Sequence, residues 1–317
     1  MVADEASLDP FDPHAVSAET RAISDRLTAA MAIIPRWQDV GPVAARRMRV
    51  DGTGPFPIPT KSDRAEEFTI ASPGGPIALR LIAPHETPRG VYLHIHGGGW
   101  VLGAANLQDQ ALEALADRTG YCCLSVEYRL APEHRFPAAV DDCVAAARWL
   151  AAKTPDRFGT DRLAIGGESA GAHLALLTLL ALRDAGEAAR FSHANLVSGF
   201  FDLALTPSAR LAGDEGPVIG TGTCRDFVSA FLGDEPDPTR PDVSPLYADL
   251  AGMPPTLISV GTNDPLLDDS LFLHARLTAV GTRSQLAVYP GGVHGFMLFP
   301  GHLASAALDR IVAFLDD

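Results

Sequence analysis

The chain has 317 residues, of which 47% are hydrophobic and 20% are charged, so it can bury a substantial core and is not of the disordered class. Its formal net charge of −14 would repel phosphate backbones and anionic lipid, which makes nucleic acid a poor candidate partner. The acidic N-terminus shows no signal-peptide pattern and no apolar run is long enough to cross a bilayer, so we expect a cytoplasmic protein without a membrane span.

The first part of the chain predicts a helix, a linker and two strands. An apolar stripe at helical spacing ends before Pro35 and consists of Val16, Ile23, Leu27, Met31 and Ile34. Residues 41–59 are rich in Gly and Pro and predict a linker. Residues 66–71 and 77–83 predict two strands, and the residues between them predict a turn.

From residue 91 onward, short apolar strands alternate with helices. The predicted strands are 91–96, 122–127, 163–166, 256–260 and 285–289. The predicted helices are 106–119, 137–153, 170–185 and 270–280. This alternation is typical of a parallel sheet with helices on both faces, so we predict the α/β class. Residues 202–255 interrupt it with many Gly and Pro residues and one helix-like piece at 224–232, as insertions that form lids and binding walls commonly do.

The pentapeptide Gly167-Glu-Ser-Ala-Gly follows a predicted strand and opens a predicted helix. The pattern G-x-S-x-G alone is a weak signal, but this context is typical of the sharp turn that presents a nucleophilic serine above the edge of a sheet. The N-terminus of the helix also favours developing negative charge. The alternative is a serine that merely caps a helix. We predict that Ser169 is a nucleophile.

A serine hydroxyl is a weak nucleophile and needs a base, which in turn needs an acid to orient it. His294 lies in a glycine-rich loop directly after a predicted strand, where open α/β folds bind their ligands, and His302 is the alternative base. Asp264 follows the preceding strand and is the predicted acid. Asp268 and Asp269 are alternatives by type, although they resemble the cap and first turn of a helix.

The sequence His-Gly-Gly-Gly-Trp at 96–100 predicts an oxyanion hole. Glycines let the backbone approach a substrate, and backbone amides are donors whose orientation is already fixed. An HGGG element has this role in lipases and esterases. We expect the amides of Gly98, Gly99 and Ala170 to form the hole.

No cofactor or metal is predicted. His94 and His96 lie on one face of a predicted strand, as two metal ligands could, but no third ligand cluster accompanies them. The cysteines lack metal or redox spacing and are expected to be reduced, as in a cytoplasmic protein; they are Cys122, Cys123, Cys143 and Cys224.

Five motifs in combination resemble those of the hormone-sensitive-lipase-like esterases over roughly residues 66–316. They are His96-Gly-Gly-Gly-Trp, Tyr128-Arg-Leu-Ala-Pro-Glu-His-Arg-Phe-Pro, Gly167-Glu-Ser-Ala-Gly, Asp264-Pro-Leu-Leu-Asp and His294-Gly-Phe. The resemblance implies an eight-stranded α/β-hydrolase core, a helical cap, the oxyanion hole above, and a triad of Ser169, Asp264 and His294. Many relatives differ at Glu168 and Ala172, which carry no proton in the mechanism and therefore bear on substrate rather than reaction.

The same resemblance supplies expectations about the domains and the pocket. Residues 1–60 are expected to form an N-terminal cap segment and linker, and 61–317 the catalytic domain with 202–255 as a cap insertion. The apolar stripe must also bury its face, and because the core helices already cover both faces of the sheet, we expect it to pack on residues 227–232 above the nucleophile. The alternatives are packing on the core far from the site, or a dimer contact. The predicted pocket residues are Trp100, Glu168 and Phe227. A hypothetical ion-pair cluster consists of Arg129, Glu133 and Asp141.

These features predict a serine esterase that hydrolyses small soluble carboxylic esters with short acyl chains through an acyl-enzyme. An amidase or deacetylase uses the same triad and stays an alternative, which an anilide substrate would distinguish. A non-catalytic small-molecule receptor is an alternative from another class, but receptors that resemble this family lack the catalytic histidine, whereas His294 is present. A homodimer is left open.

Overall fold

The computed structural model describes residues 9–53, 56, 58–187, 190–214, 216–233 and 236–317. Its strands are β1 (Glu66–Ile70), β2 (Ile77–Ile82), β3 (Gly90–Ile95), β4 (Tyr121–Glu127), β5 (Leu163–Glu168), β6 (Phe191–Val197), β7 (Thr256–Asn263) and β8 (Ser284–Val293). In the described residues they form one eight-stranded sheet in the order β1-β2-β4-β3-β5-β6-β7-β8. β2 runs antiparallel to both of its neighbours, and β3 to β8 pair in parallel. The predicted α/β-hydrolase fold is confirmed.

Helices cover both faces of this sheet. One face carries α4 (Asp109–Thr119) and α10 (His302–Asp316), and the other carries α5 (Ala138–Phe158), α6 (Ala170–Asp184) and α9 (Leu267–Ala279). Successive side chains of a strand point to opposite faces of the sheet. Tyr92 therefore packs in the core beneath α4 and α10, while Leu93 packs in the core beneath α5, α6 and α9. Both faces of the central strands are buried, which explains their continuous apolar sequences.

Strand β6 was absent from the residue-based prediction, and the eight-strand count came only from the resemblance. Its sequence, Phe191-Ser-His-Ala-Asn-Leu-Val, mixes polar and apolar residues and therefore lacks the apolar run of its neighbours. The polar side chains acquire partners only in the folded sheet. Asn195 donates from Nδ2 to the Tyr92 hydroxyl at 3.2 Å, and the Ser192 hydroxyl donates to the carbonyl of Leu163 at 2.9 Å.

The N-terminal segment contains three helices, α1 (Ala18–Met31), α2 (Trp37–Val40) and α3 (Pro42–Val50). The prediction of a linker over 41–59 is therefore wrong for its first half; residues 54, 55 and 57 lie outside the described residues. Pro42 occupies the first position of α3, where its missing N–H costs nothing. Arg46 then fixes α3 to the core by donating to the carbonyls of Val101 and Ala131, at 2.7 and 2.8 Å.

The apolar stripe of α1 packs mainly beside β8. Leu27 belongs to a buried cluster with Val293 and Phe296, and to this cluster Val218 of the insertion also contributes. The expected packing of this stripe on residues 227–232 is wrong, because a helix after α1 occupies that place. The ring of Trp37 in α2 stacks on Phe227, with centroids 5.5 Å apart.

The 202–255 insertion contains α7 (Pro207–Leu211) and α8 (Thr221–Leu232), so the predicted helix begins three residues earlier than expected. Asp269, in the first turn of α9, anchors the start of the insertion. Its carboxylate accepts from the amides of Phe201 and Asp202, at 2.7 and 2.8 Å, and from the hydroxyl of Thr206. Among the helices that the structure describes, none combines the length and apolar character needed to cross a membrane.

The hypothetical ion-pair cluster after β4 is wrong in its partners. Arg129 pairs with the buried Asp142 rather than with Asp141, through two hydrogen bonds of 2.9 Å from its guanidinium. Glu133 pairs with Arg46 of α3 at 2.8 Å. Neighbouring residues of a helix point about 100° apart, so Asp142 lies on the buried face of α5 whereas Asp141 is exposed.

Candidate active site

Ser169 sits on the turn between β5 and α6 with φ 55° and ψ −121°. Positive φ is unfavourable for a residue with a side chain, so the turn persists only because its surroundings fix it. The amide of Ser169 donates to the carbonyl of Val197 at 2.9 Å. A Cβ on either Gly167 or Gly171 would overlap the carbonyl oxygen of Ile95, which explains why both flanking positions are glycine.

The structure brings Ser169, His294 and Asp264 together in one hydrogen-bonded series. The Ser169 hydroxyl donates to Nε2 of His294 at 2.9 Å. Nδ1–H of the same ring donates to the Asp264 carboxylate, at 3.0 and 3.1 Å from its two oxygens. Asp264 and His294 are 4% and 7% exposed, so both partners are shielded from water. This arrangement can take a proton from Ser169 and hold the resulting imidazolium.

The alternative base and acids do not join this series. His302 forms a hydrogen bond with Glu19 near the surface. The Asp268 carboxylate accepts from the amide of Ser208 at 2.8 Å, and Asp269 anchors the insertion. These contacts assign all three side chains to structural roles.

The predicted oxyanion donors lie beside the nucleophile and line the same cavity. Gly98 and Gly99 have φ 114° and 61°, which turn the loop after β3 so that it passes next to Ser169. Among the described residues, the amides of Gly98, Gly99 and Ala170 have no backbone or side-chain acceptor. They are therefore free to donate to a developing oxyanion.

Glu168 holds this loop in place. Its carboxylate accepts from the amide of Gly97 at 2.9 Å, from the side-chain amide of Gln108, and from Nε2–H of His94 at 3.1 Å. Burial alone would raise the pKa of Glu168, but the charge of His94 and these hydrogen bonds outweigh it and leave the pKa below its usual value. No signal in the sequence indicated that Gln108 and His94 bind Glu168, because both residues are far from Glu168 along the chain.

The Glu168 contacts lead to a prediction about the oxyanion loop. In Glu168→Gln, the new side-chain NH₂ group would face the Nε2–H donor of His94. Because two donors repel each other, the side chain should shift and its hydrogen bond with the amide of Gly97 should weaken. We expect kcat to fall by roughly 10- to 100-fold with little change in KM, since loss of a whole oxyanion donor costs about 10²–10³. Steady-state kinetics check this, with Glu127→Gln as control, because Glu127 also accepts from a backbone amide, that of Ala105, but does not line the cavity. An equal loss in both variants would contradict a positioning role for Glu168.

His94 and His96 do not form part of a metal cluster in the described chain, where no group of three or more candidate ligand side chains occurs. A hydrogen bond of 2.9 Å joins Nδ1 of His94 to the Ser125 hydroxyl, and Nε2–H of the same ring donates to Glu168. His96 donates from Nδ1 to the carbonyl of Gly97 and stacks on Tyr128, with ring centroids 4.1 Å apart. Burial lowers the pKa of His96 to about 4, so the ring is neutral.

A cavity of about 620 Å³ opens above Ser169. Its floor is the oxyanion loop with Glu168 and Ser169, and its walls come from the C-terminal end of α1, from α2 and α3, and from the insertion. Phe227 lines it and lies against Gly99, where a Cβ would overlap the ring. Of the three predicted pocket residues, the structure thus places Glu168 and Phe227 in the lining of the cavity.

Trp100 does not line the cavity, which corrects the third pocket prediction. Its side chain is fully buried beneath the oxyanion loop, stacked on Phe231 with centroids 4.6 Å apart. Its indole Nε1–H donates to Nδ1 of His173 at 3.1 Å, and Nε2–H of His173 donates to the carbonyl of Val243 at 2.7 Å. A large aromatic residue after three glycines here anchors the loop from below.

The Trp100–His173 contact predicts a dependence of stability on pH. Burial lowers the pKa of His173 to about 4, so only the unfolded chain takes up this proton as pH falls below about 6.5. The contribution of neutral His173 to the free energy of unfolding is therefore fully present above pH 6.5 and is lost as the pH falls towards 4. At pH 5 the loss amounts to about 2 kcal/mol. His173→Asn should reduce the difference in unfolding free energy between pH 7 and pH 5 by about that amount. Urea denaturation at both pH values measures it; exposed His85→Asn is the control, and an unchanged difference in His173→Asn would contradict the assignment.

Comparison with known proteins agrees with this fold. Residues 92–298 match the family model described as alpha/beta hydrolase fold. The chain is 33% identical to the carboxylesterase NlhH of Mycobacterium tuberculosis, over 84% of this chain and 85% of that protein. It is 28% identical to an acetyl esterase of Salmonella schwarzengrund, over 87% and 88% of the two chains.

A solved structure shows the same architecture. The hyperthermophilic esterase from the archaeon Pyrobaculum calidifontis superposes with a TM-score of 0.85 at 30% identity, covering 95% of this chain and 97% of that one. Sequence and structure therefore agree over nearly the whole length. The chain belongs to the α/β-hydrolase fold family, among its hormone-sensitive-lipase-like carboxylesterases.

Proposed function

We propose that this protein is a serine carboxylesterase that hydrolyses small esters with short acyl chains. The observation that carries the proposal is the hydrogen-bonded series of Ser169, His294 and Asp264, which opens into a cavity beside free backbone amides. The names of its relatives, an acetyl esterase and a carboxylesterase, support ester bonds as the target.

In the proposed mechanism, His294 accepts the hydroxyl proton of Ser169 as Oγ attacks the ester carbonyl. Negative charge develops on the carbonyl oxygen, and the amides of Gly98, Gly99 and Ala170 donate to it. The tetrahedral intermediate collapses, the C–O bond to the alcohol breaks, and imidazolium returns the proton to the departing oxygen. Water, deprotonated by the same ring, then attacks the acyl-enzyme and releases the acid and free Ser169. Asp264 accepts from Nδ1–H throughout.

The shape of the cavity supports a short acyl chain. Its volume of about 620 Å³ must hold both halves of the ester, and apolar side chains dominate its walls. We propose that residues 9–60 and 202–255 act together as a cap, because Trp37 and Phe227 stack across these two segments. The cap then determines which acyl chains fit.

An acyl-length series tests both the reaction and the cap. We expect 4-nitrophenyl esters to be hydrolysed fastest with short acyl chains, and a matching 4-nitroanilide to react far more slowly. Trp37→Ala should move the optimum to longer chains, because each methylene contact in a pocket is worth about 1–3 kcal/mol of discrimination. Val43→Ala, at an exposed site in the same segment, is the control. An unchanged length profile in Trp37→Ala would contradict the cap, and preferential turnover of the anilide would indicate an amidase.

We also propose a cytoplasmic location, consistent with four free and buried cysteines, and no nucleic-acid partner, consistent with the net charge of −14. Fractionation of the producing cells tests the location. A homodimer stays a proposal, which light scattering at several protein concentrations would test.

A further inference from the structure

Arg49 places a positive charge in the wall of the substrate cavity. It lies on α3 and lines the cavity with Ala45 and Met48 of the same helix. Its guanidinium carbon lies 3.9 Å from the centroid of the Phe56 ring. The ring fixes the guanidinium without occupying any of its five N–H donors, which form a planar fork suited to a carboxylate.

The other charged side chains of the cavity wall already have partners. Arg36 pairs with Asp39, Asp214 accepts from the amide of Gly222 at 2.6 Å, and Glu168 is held by three donors. Within the described residues, Arg49 makes no ion pair or hydrogen bond through its guanidinium, in contrast to Arg46 three residues earlier on α3. A cation without a partner in an apolar wall is costly unless a ligand supplies the anion.

The charge on Arg49 persists under ordinary conditions. Burial lowers the pKa of Arg49 to about 10, and the negative charge of Glu168 acts in the opposite direction. The guanidinium is therefore protonated at neutral pH. Because it is partly withdrawn from water, its attraction for an anion in the cavity is stronger than that of a surface arginine.

We propose that Arg49 is a specificity-determining residue that binds a carboxylate carried by the ester substrate, at the end remote from the reacting carbonyl. The inference rests on the proposed esterase function and narrows its substrate class from neutral short-chain esters to esters that bear an acidic group. The carboxylate lies on either the acyl or the alcohol half of the substrate, and two pairs of esters distinguish these sources.

Matched pairs of esters that differ only in this charge provide the test. For the acyl half the pair is 4-nitrophenyl hydrogen adipate and its methyl ester. For the alcohol half it is 4-carboxyphenyl acetate and its methyl ester. We expect the wild-type protein to favour the charged member of one pair, and Arg49→Gln to lower the charged-to-neutral ratio of kcat/KM by roughly 10- to 100-fold, as loss of a hydrogen-bonded charge does.

Two further variants separate recognition from structure. Arg49→Lys keeps the charge but not the planar fork, so it should retain part of the preference. Arg47→Gln removes an exposed charge two residues away on α3 and should leave the ratio unchanged. A structural role for Arg49 would lower kcat/KM equally for both members of each pair and leave the ratio intact, which would overturn the proposal. An equal effect of Arg47→Gln would overturn it as well, because only long-range charge would then matter.

Binding without turnover distinguishes failure of this proposal from failure of the esterase function. Calorimetry with 4-nitrophenyl hydrogen adipate and 4-carboxyphenyl acetate on Ser169→Ala, with and without Arg49→Gln, measures the contact directly. Affinity for one ester that falls by roughly 10- to 100-fold on loss of Arg49 supports the proposal even if no ester is hydrolysed. Equal affinity of the two proteins for both esters overturns it, even if neutral esters are hydrolysed well.

Discussion

Ser169→Ala is expected to lower ester turnover by roughly 10⁴- to 10⁶-fold while the fold is retained, as removal of a nucleophile does in other serine hydrolases. Only the hydroxyl is lost, and the turn is fixed by contacts that the substitution leaves in place, including the amide hydrogen bond to Val197. Residual activity would come from binding and the oxyanion amides. Steady-state kinetics with 4-nitrophenyl acetate measure the loss, and circular dichroism verifies the fold.

Ser198→Ala is the matched control for this prediction. Ser198 also lines the cavity and has a buried hydroxyl, but that hydroxyl has no hydrogen-bond partner in the described residues. We expect its loss to change turnover by less than about tenfold, because surroundings without a base cannot activate it. A fluorophosphonate probe should label Ser169 alone. Labelling of Ser198, or a Ser169→Ala protein that stays active, would refute the nucleophile assignment.

Asp264→Asn is expected to reduce kcat by about 10⁴-fold, because an amide in this position favours the wrong tautomer of the histidine, as in other triads. In the wild-type protein, the Asp264 carboxylate accepts a hydrogen bond from Nδ1–H of His294, so Nε2 of the same ring is free to accept from Ser169. In the Asp264→Asn variant, the side-chain N–H₂ group can turn toward Nδ1, and the ring then carries its proton on Nε2. Because a hydroxide-rich solution can partly replace the missing base, the loss should shrink at high pH.

Asp268→Asn is the control for the acid. It lies four residues later and accepts from the amide of Ser208, so it tests whether any loss of negative charge near this loop matters. We expect kcat to change by less than about tenfold, since the Ser208 amide can still donate to the remaining oxygen. Comparable losses in the two variants would show that Asp264 has no special role.

Much of the catalytic floor was predictable from the sequence because its geometry is local. The turn at Ser169 needs small residues on both sides within five positions, and the loop at 96–100 is likewise one contiguous motif. Asp264 and His294 each follow a strand directly, and parallel strands bring their carboxyl ends to one edge of the sheet. The alternation of apolar strands and helices indicated the fold class for the same reason.

Only the tertiary structure decided the roles that depend on contacts between distant parts of the chain. Trp100 follows the oxyanion glycines in sequence, yet its indole packs on Phe231 beneath the loop and does not line the cavity. The aromatic rings of Trp37 and Phe227 line the cavity instead. Strand β6 lacks an apolar run and helix α3 lies in a segment rich in Gly and Pro, and long-range hydrogen bonds stabilise both. The sequence by itself therefore indicated the proposed reaction centre, whose motifs are short and contiguous. The walls that we propose select the substrate, Arg49 among them, arise from side chains brought together only by folding.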